Sequence, residues 1–164
     1  MSRFSPVALA FALLLPAPWT LAAGTDEPVV ESAPDVSREL KKAKGLIEQQ
    51  KYADAIKELK AAEQKDPTNA NVHNWLGYSY RKSGNLDAAF KSYGTALKLD
   101  PKHKGAHEYI GEAYLMNKQP DKAREHLAVL KTICGTGCEE YRDLEKSIAA
   151  YGVAGAPAAA KTSW

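Results

Sequence analysis

Every 34 residues this chain returns to the same letters. Ala55 recurs as Ala89 and Ala123, and Leu59 as Tyr93 and Leu127. Ala62 recurs as Ala96, Pro67 as Pro101, His73 as His107, Gly77 as Gly111 and Tyr80 as Tyr114. A fixed period of this length, carried on helical spacing, excludes most architectures at once. A single unit cannot bury its own apolar face, so successive units must stack and share a continuous core.

Each unit reads as two helices. In the middle one, Leu76, Tyr80 and their neighbours form a stripe that ends near Ser83. Gly84 suits the left-handed conformation that ends a helix, and Asn85 suits the cap of the next. Leu86, Ala89, Phe90, Tyr93, Ala96 and Leu97 form the second stripe, which Asp100–Pro101 stops. Gly77 and Ala89 are expected to leave room for each other's backbone. Beyond the third unit, Tyr141, Leu144, Ile148 and Tyr151 share one helix face, with charged residues covering the other. A seventh helix of this kind would cover the last apolar face of a stack.

These residues resemble the tetratricopeptide repeat. The pattern is clear in "NWLGYSYRKSGNLDAAFKSYGTALKLDP" at 74–101 and in "AHEYIGEAYLMNKQPDKAREHLAVL" at 106–130. It is weaker over 36–67, where Lys42 stands at the position of Leu76 and Ile110. The resemblance implies an all-α fold: a right-handed superhelix of three helix pairs plus a C-terminal capping helix, over residues 36–151. It also implies a scaffold that takes a protein or peptide in its concave groove, lined by the first helix of each pair.

Helical spacing puts Asn71, Asn74, Trp75, Tyr78 and Arg81 or Lys82 on that groove side of the second unit. The third unit offers Glu108, Tyr109, Glu112 and Met116, and the first Lys41, Lys44 and Glu48. Trp75, Tyr78 and Tyr109 are expected to form an aromatic floor, with Asn71 and Asn74 free to bond a partner's backbone. The family's clamp for a C-terminal carboxylate is not expected, because Trp75 occupies the position where it places an Asn.

No catalytic set is visible: no Gly-rich phosphate loop, no Gly-x-Ser-x-Gly elbow and no His-Glu-x-x-His. A non-enzymatic role without a cofactor is therefore expected. His103 and His107 have a spacing that can hold one ion, but His107 repeats His73, and equivalent residues usually do the same packing job. No metal site is expected from them.

Both cysteines, Cys134 and Cys138, lie in "ICGTGCEEY". A thioredoxin-like pair needs two intervening residues, and haem attachment needs a following His; neither is present. The glycines between them let the chain turn tightly enough for a disulfide, which needs Cα atoms about 4.4–6.8 Å apart. A staple at the corner before the last helix is the expected reading, with a metal- or thiol-handling pair as the alternative.

Compartment decides between those readings. Residues 1–23 combine Arg3, an apolar run from Val7 to Leu15 and the small residues Ala22 and Ala23, the pattern of a cleaved signal peptide. Export to a periplasm or secretion is expected, and with it an environment that keeps disulfides. Residues 24–35 read as a flexible acidic linker and 152–164 as a disordered tail. The formal charge is +2, and removing Arg3 with the leader leaves +1 without any basic run. Bulk electrostatic binding to nucleic acid is thereby disfavoured, and no membrane span is expected after cleavage.

Overall fold

The computed structural model describes residues 35–155. The expected signal peptide, most of the linker and residues 156–164 lie outside that range. Among the described residues there are seven helices and no strand. They are α1 (Ser37–Glu48), α2 (Tyr52–Lys65), α3 (Ala70–Lys82), α4 (Leu86–Leu99), α5 (Lys104–Met116), α6 (Pro120–Cys134) and α7 (Glu139–Gly155). Helix α7 runs four residues past the boundary expected at residue 151.

The helices pair in order. α1 packs on α2, α3 on α4 and α5 on α6, each pair leans on the next, and α7 seats against both α5 and α6. The seams hold the core. Val36, Ala43, Leu59, Ala62, Val72 and Leu76 form the first cluster, and Ala89, Tyr93, Ile110 and Ala113 the second. Leu130, Tyr141 and Leu144 form the third, under α7. Burying Leu144 completely is worth about 2 kcal/mol. None of the described helices is long and apolar enough to cross a membrane.

The period governs the turns as well as the core. In all three pairs the first helix closes with the same bond, from the backbone N–H of Lys51, Asn85 or Gln119 to the carbonyl of Leu46, Tyr80 or Tyr114 (2.8, 2.9 and 2.8 Å). This closure needs a left-handed residue just before the donor. Gln50, Gly84 and Lys118 occupy it, with φ of 58°, 85° and 58°. Only the middle unit uses a glycine there.

Helix starts repeat too. Asn69 and Asn85 accept from Val72 N–H and Ala88 N–H (3.3 and 3.1 Å) and so cap α3 and α4. One period after Asn69, His103 does the same for α5, its Nδ1 accepting from Ala106 N–H at 3.1 Å. His73 and His107 each bond through Nε2 to a carbonyl in the preceding turn, that of Pro67 (2.7 Å) and of Pro101 (3.0 Å). The equivalent histidines do share one packing job.

A Cβ built on Gly77 would stand 2.5 Å from the Tyr93 ring, so the glycine accommodates an aromatic of α4. Lys42, which departs from the apolar pattern, is exposed and reaches Glu58 at 2.7 Å. Below α1, Lys65 binds Glu39 at 2.5 Å and, with Arg38, holds that carboxyl at about 2.

Candidate functional site

The residues expected on the groove side of the stack lie on α1, α3 and α5. On α3, Leu76 and Gly77 turn into the core and are buried. One step away, Trp75 and Tyr78 are half-buried, and Tyr109 of α5 joins them. The ring centroids lie 5.6 Å (Trp75–Tyr78), 5.0 Å (Tyr78–Tyr109) and 6.3 Å (Trp75–Tyr109) apart, and the first two pairs meet edge to face. These are the separations at which aromatic pairs attract. The floor expected from helical spacing is a contiguous cluster.

Cations hold it from two sides. Lys44 of α1 lies over the Trp75 ring at 5.0 Å. Arg81 lies 5.2 Å from the Tyr78 centroid and 5.7 Å from that of Tyr109. Arg81 is buried and pairs with Glu112 Oε2 at 2.6 Å. It braces the floor from within rather than projecting toward a partner. Glu112 is held on its other oxygen by Ser147 of α7 at 3.4 Å. Lys82 is exposed, 6.0 Å from the Tyr78 ring.

The two asparagines diverge. Asn71 Oδ1 accepts from His103 Nε2 at 3.1 Å, so its acceptor already has a partner. Asn74 is 3 % exposed, and its Oδ1 has no hydrogen-bond partner among the described residues. It lines a pocket between α3, α5 and the start of α7, together with Gly105, Glu108, Tyr109, Glu140 and Asp143. Glu108 is buried there. That burial, and then the neighbouring Glu112, Asp143 and Glu140, push its carboxyl up to about 8. Glu140 is tied to Lys104 at 3.1 Å. Sequence reasoning found Asn74 and Glu108 but missed Gly105, Glu140 and Asp143. The last two belong to a helix outside the repeat, so no periodic signal pointed to them.

The histidines are committed to structure. His107 donates through Nε2 to Pro101, so its Nδ1 accepts, and His126 Nδ1 donates to it at 2.9 Å. Burial, then His107, pushes His126 down to about 4. With His103 capping α5, no imidazole of the His103–His107 pair is left for an ion. Met116 is exposed at the end of α5, while Lys41, Lys44 and Glu48 line a separate depression on α1.

Cys134 ends α6 and Cys138 precedes α7. Their Cα atoms are 5.9 Å apart and their sulfurs are paired. Gly135, at φ 71°, turns the chain between them. Both side chains pack on the third core cluster.

The TPR repeat family pattern matches residues 44–84 and again 77–118. Hsp70-Hsp90 organizing protein 3 of Arabidopsis thaliana is 28 % identical over 87 residues. That stretch is 53 % of this chain but only 16 % of that much longer protein. Two solved structures share the fold. One is the Yersinia enterocolitica type III secretion chaperone SycD in complex with a peptide of the translocator YopD, at TM-score 0.62 and 20 % identity, covering 73 % of this chain and 90 % of that one. The other is the first TPR of Spaghetti (RPAP3) bound to the HSP90 peptide SRMEEVD, at TM-score 0.63 and 18 % identity, covering 73 % and 97 %. Residues 44–118 thus match the tetratricopeptide repeat pattern, and the described residues form the all-helical superhelical stack of seven helices that this pattern builds.

Proposed function

We propose that this protein is an exported adaptor that holds an extended segment of a partner protein across the Trp75–Tyr78–Tyr109 surface. One observation carries the reading. Three aromatic rings lie in mutual contact and half-exposed on the groove side, while Leu76 and Ile110 already fill the adjoining core. Aromatic anchors ringed by polar groups are the usual centre of a binding surface. The solved relatives with peptides in place support a peptide partner. The signal-like leader supports export to a periplasm or beyond the cell. The role is binding, not catalysis.

The experiment is cross-linking in the native exported fraction followed by mass spectrometry, with wild type and with Trp75→Ala combined with Tyr78→Ala. Loss of capture at a nearly unchanged melting temperature is expected, since each anchor is worth about 2 kcal/mol or more to binding. Undiminished capture would refute the groove assignment. A collapse of the melting temperature would instead make Trp75 a core residue.

A second reading rests on Cys134, Cys138 and Glu140, whose ligand atoms lie within 4.8 Å of one another. Once reduced, two thiolates and a carboxylate form a soft-metal ligand set. Zinc or copper retained by protein purified under reducing conditions would favour metal handling over the adaptor.

A further inference from the structure

His107 of α5 and His126 of α6 meet where the last helix pair closes, their Nδ1 atoms 2.9 Å apart. His107 Nε2 is fixed by the Pro101 carbonyl at 3.0 Å and so carries a hydrogen. His126 stacks on Tyr114, with ring centroids 5.6 Å apart and planes 17° from parallel. Tyr114 in turn meets Phe90 of α4 at 4.7 Å. The pair belongs to the last unit alone. One period before His126 stands Ser92, which bonds its own helix at the Ala88 carbonyl. His73, the counterpart of His107, turns its Nδ1 to Glu63 at 3.4 Å instead.

Hydrogens can be counted on this pair. A gap of 2.9 Å between two nitrogens holds one hydrogen and no more. The closed pair therefore carries at most three N–H groups on its four ring nitrogens: His107 Nε2–H, the shared hydrogen and one on His126 Nε2. Two separated imidazoles below the ordinary histidine value of about 6.5 carry four. An open seam thus binds at least one proton for which the closed seam has no room. Acid favours opening by about tenfold per pH unit once the pH is well below 6.5.

Nothing around the pair offsets this. Among the described residues His73 has a carboxylate within 4.0 Å, and neither ring of the pair has one. The titratable group that bears on His126 is His107; burial, then that neighbour, already holds His126 down at about 4. Lys122, one turn earlier on α6, lies over the Tyr114 ring at 5.1 Å and puts another cation nearby. His103, at the head of α5, is held down by burial first and also by His107. We propose that the His107–His126 contact is an acid-sensitive joint: protonation in mild acid parts α6 from α5, and the stack opens at its C-terminal end while α1–α4 stay closed. The joint is independent of what the aromatic floor binds.

The test is native-state hydrogen exchange of the full chain at pH 7.5 and pH 5, each amide referred to its intrinsic rate at that pH, for wild type and His126→Asn. An asparagine amide offers its N–H or, turned over, its oxygen, so it meets His107 in either protonation state and removes the proton deficit. Glu108 and His103 are present in both proteins, so the difference between the two is the reading. In wild type the open fraction of α6 should rise by about thirtyfold or more between the two pH values, and in His126→Asn it should stay flat. Protection in α1–α4 should respond alike in both. Nitrogen NMR of the histidine side chains is a second measurement, made on wild type alone. At pH 7.5 it should show His107 as the Nε2–H tautomer and His126 as the Nδ1–H tautomer. An α6 as indifferent to acid in wild type as in the variant, a loss of protection spread equally over α1–α4, or two imidazoliums in the pair while α6 stays protected would each overturn the proposal.

Discussion

Gly111 of α5 lies against Leu144 of α7, so close that a Cβ on the glycine would stand 2.7 Å from Leu144 Cδ1. One period earlier, Gly77 meets the Tyr93 ring within its own helix pair. The same letter thus serves two partners, and the two differ in what they can yield. Both side chains are fully buried, but a leucine can shift among rotamers where the rigid Tyr93 ring cannot. Gly77→Ala is expected to destabilise by about 1–2 kcal/mol, overpacking outweighing the gain in helix propensity. Gly111→Ala should cost less. Urea unfolding of both variants decides it; a stabilised Gly77→Ala would show that the ring has room to move.

The three left-handed closures predict opposite outcomes for one kind of change. Gln50 and Lys118 hold φ near 58° with a Cβ present, a conformation that costs a non-glycine residue about 1–2 kcal/mol. Gln50→Gly and Lys118→Gly should each stabilise by about 0.5–1 kcal/mol, while Gly84→Ala should destabilise by a similar amount. The urea midpoint should move with its slope unchanged. A lower midpoint for both glycine variants would contradict the turn geometry.

Glu108 sets a pH signature. Its folded value of about 8 lies above the ordinary carboxylate range near 4.5. Between those limits the folded state holds a proton that the unfolded state has released. Its contribution is therefore fully present below pH 4.5 and is lost as pH rises toward 8. Glu108→Gln should leave stability unchanged at pH 4.5 and raise the melting temperature at pH 8 by several degrees. A difference that does not vary with pH would show the carboxyl to be ordinary.

Cys134 and Cys138 close a loop too short to stabilise much, about 2 kcal/mol on the chain-entropy account. Cys134→Ser with Cys138→Ser should fold, capture the partner and melt a few degrees lower. Full loss of function with unchanged melting would move the metal reading to first place. Thiol labelling of protein from the exported fraction, with and without reductant, tests the bond itself; two freely labelled thiols without reductant would refute it.

What the letters revealed, they revealed through periodicity. The stack, the seams and the cap at Asn85 were legible because Ala, Leu, Pro and His return at a fixed distance. The aromatic floor was legible because Trp75 and Tyr78 sit one helical step off the core stripe. The turns were only partly so. Gln50 and Lys118 carry no glycine to announce a left-handed backbone, and the position emerges once the closing bonds are compared. Gly77 was legible as a place of close approach, but nothing in the letters said that the Tyr93 ring fills the space beside it. The pocket was least visible. Part of it comes from α7, which repeats nothing, and the difference between Asn71 and Asn74 lies in whether His103 happens to be in reach.

The seventh helix does more than cover an apolar end. Leu144 enters the space left by Gly111, Ser147 holds Glu112, and Glu140 and Asp143 wall the pocket, all from one helix. Repeat arrays lengthen by duplicating a unit, and an ordinary terminal cap would tolerate such growth by moving outward. Here a unit inserted before α7 would carry Leu144 away from Gly111, Ser147 away from Glu112 and the acid wall away from Asn74, and so dismantle the pocket. The number of repeats before α7 is thereby tied to the particular contacts that α7 makes with α5.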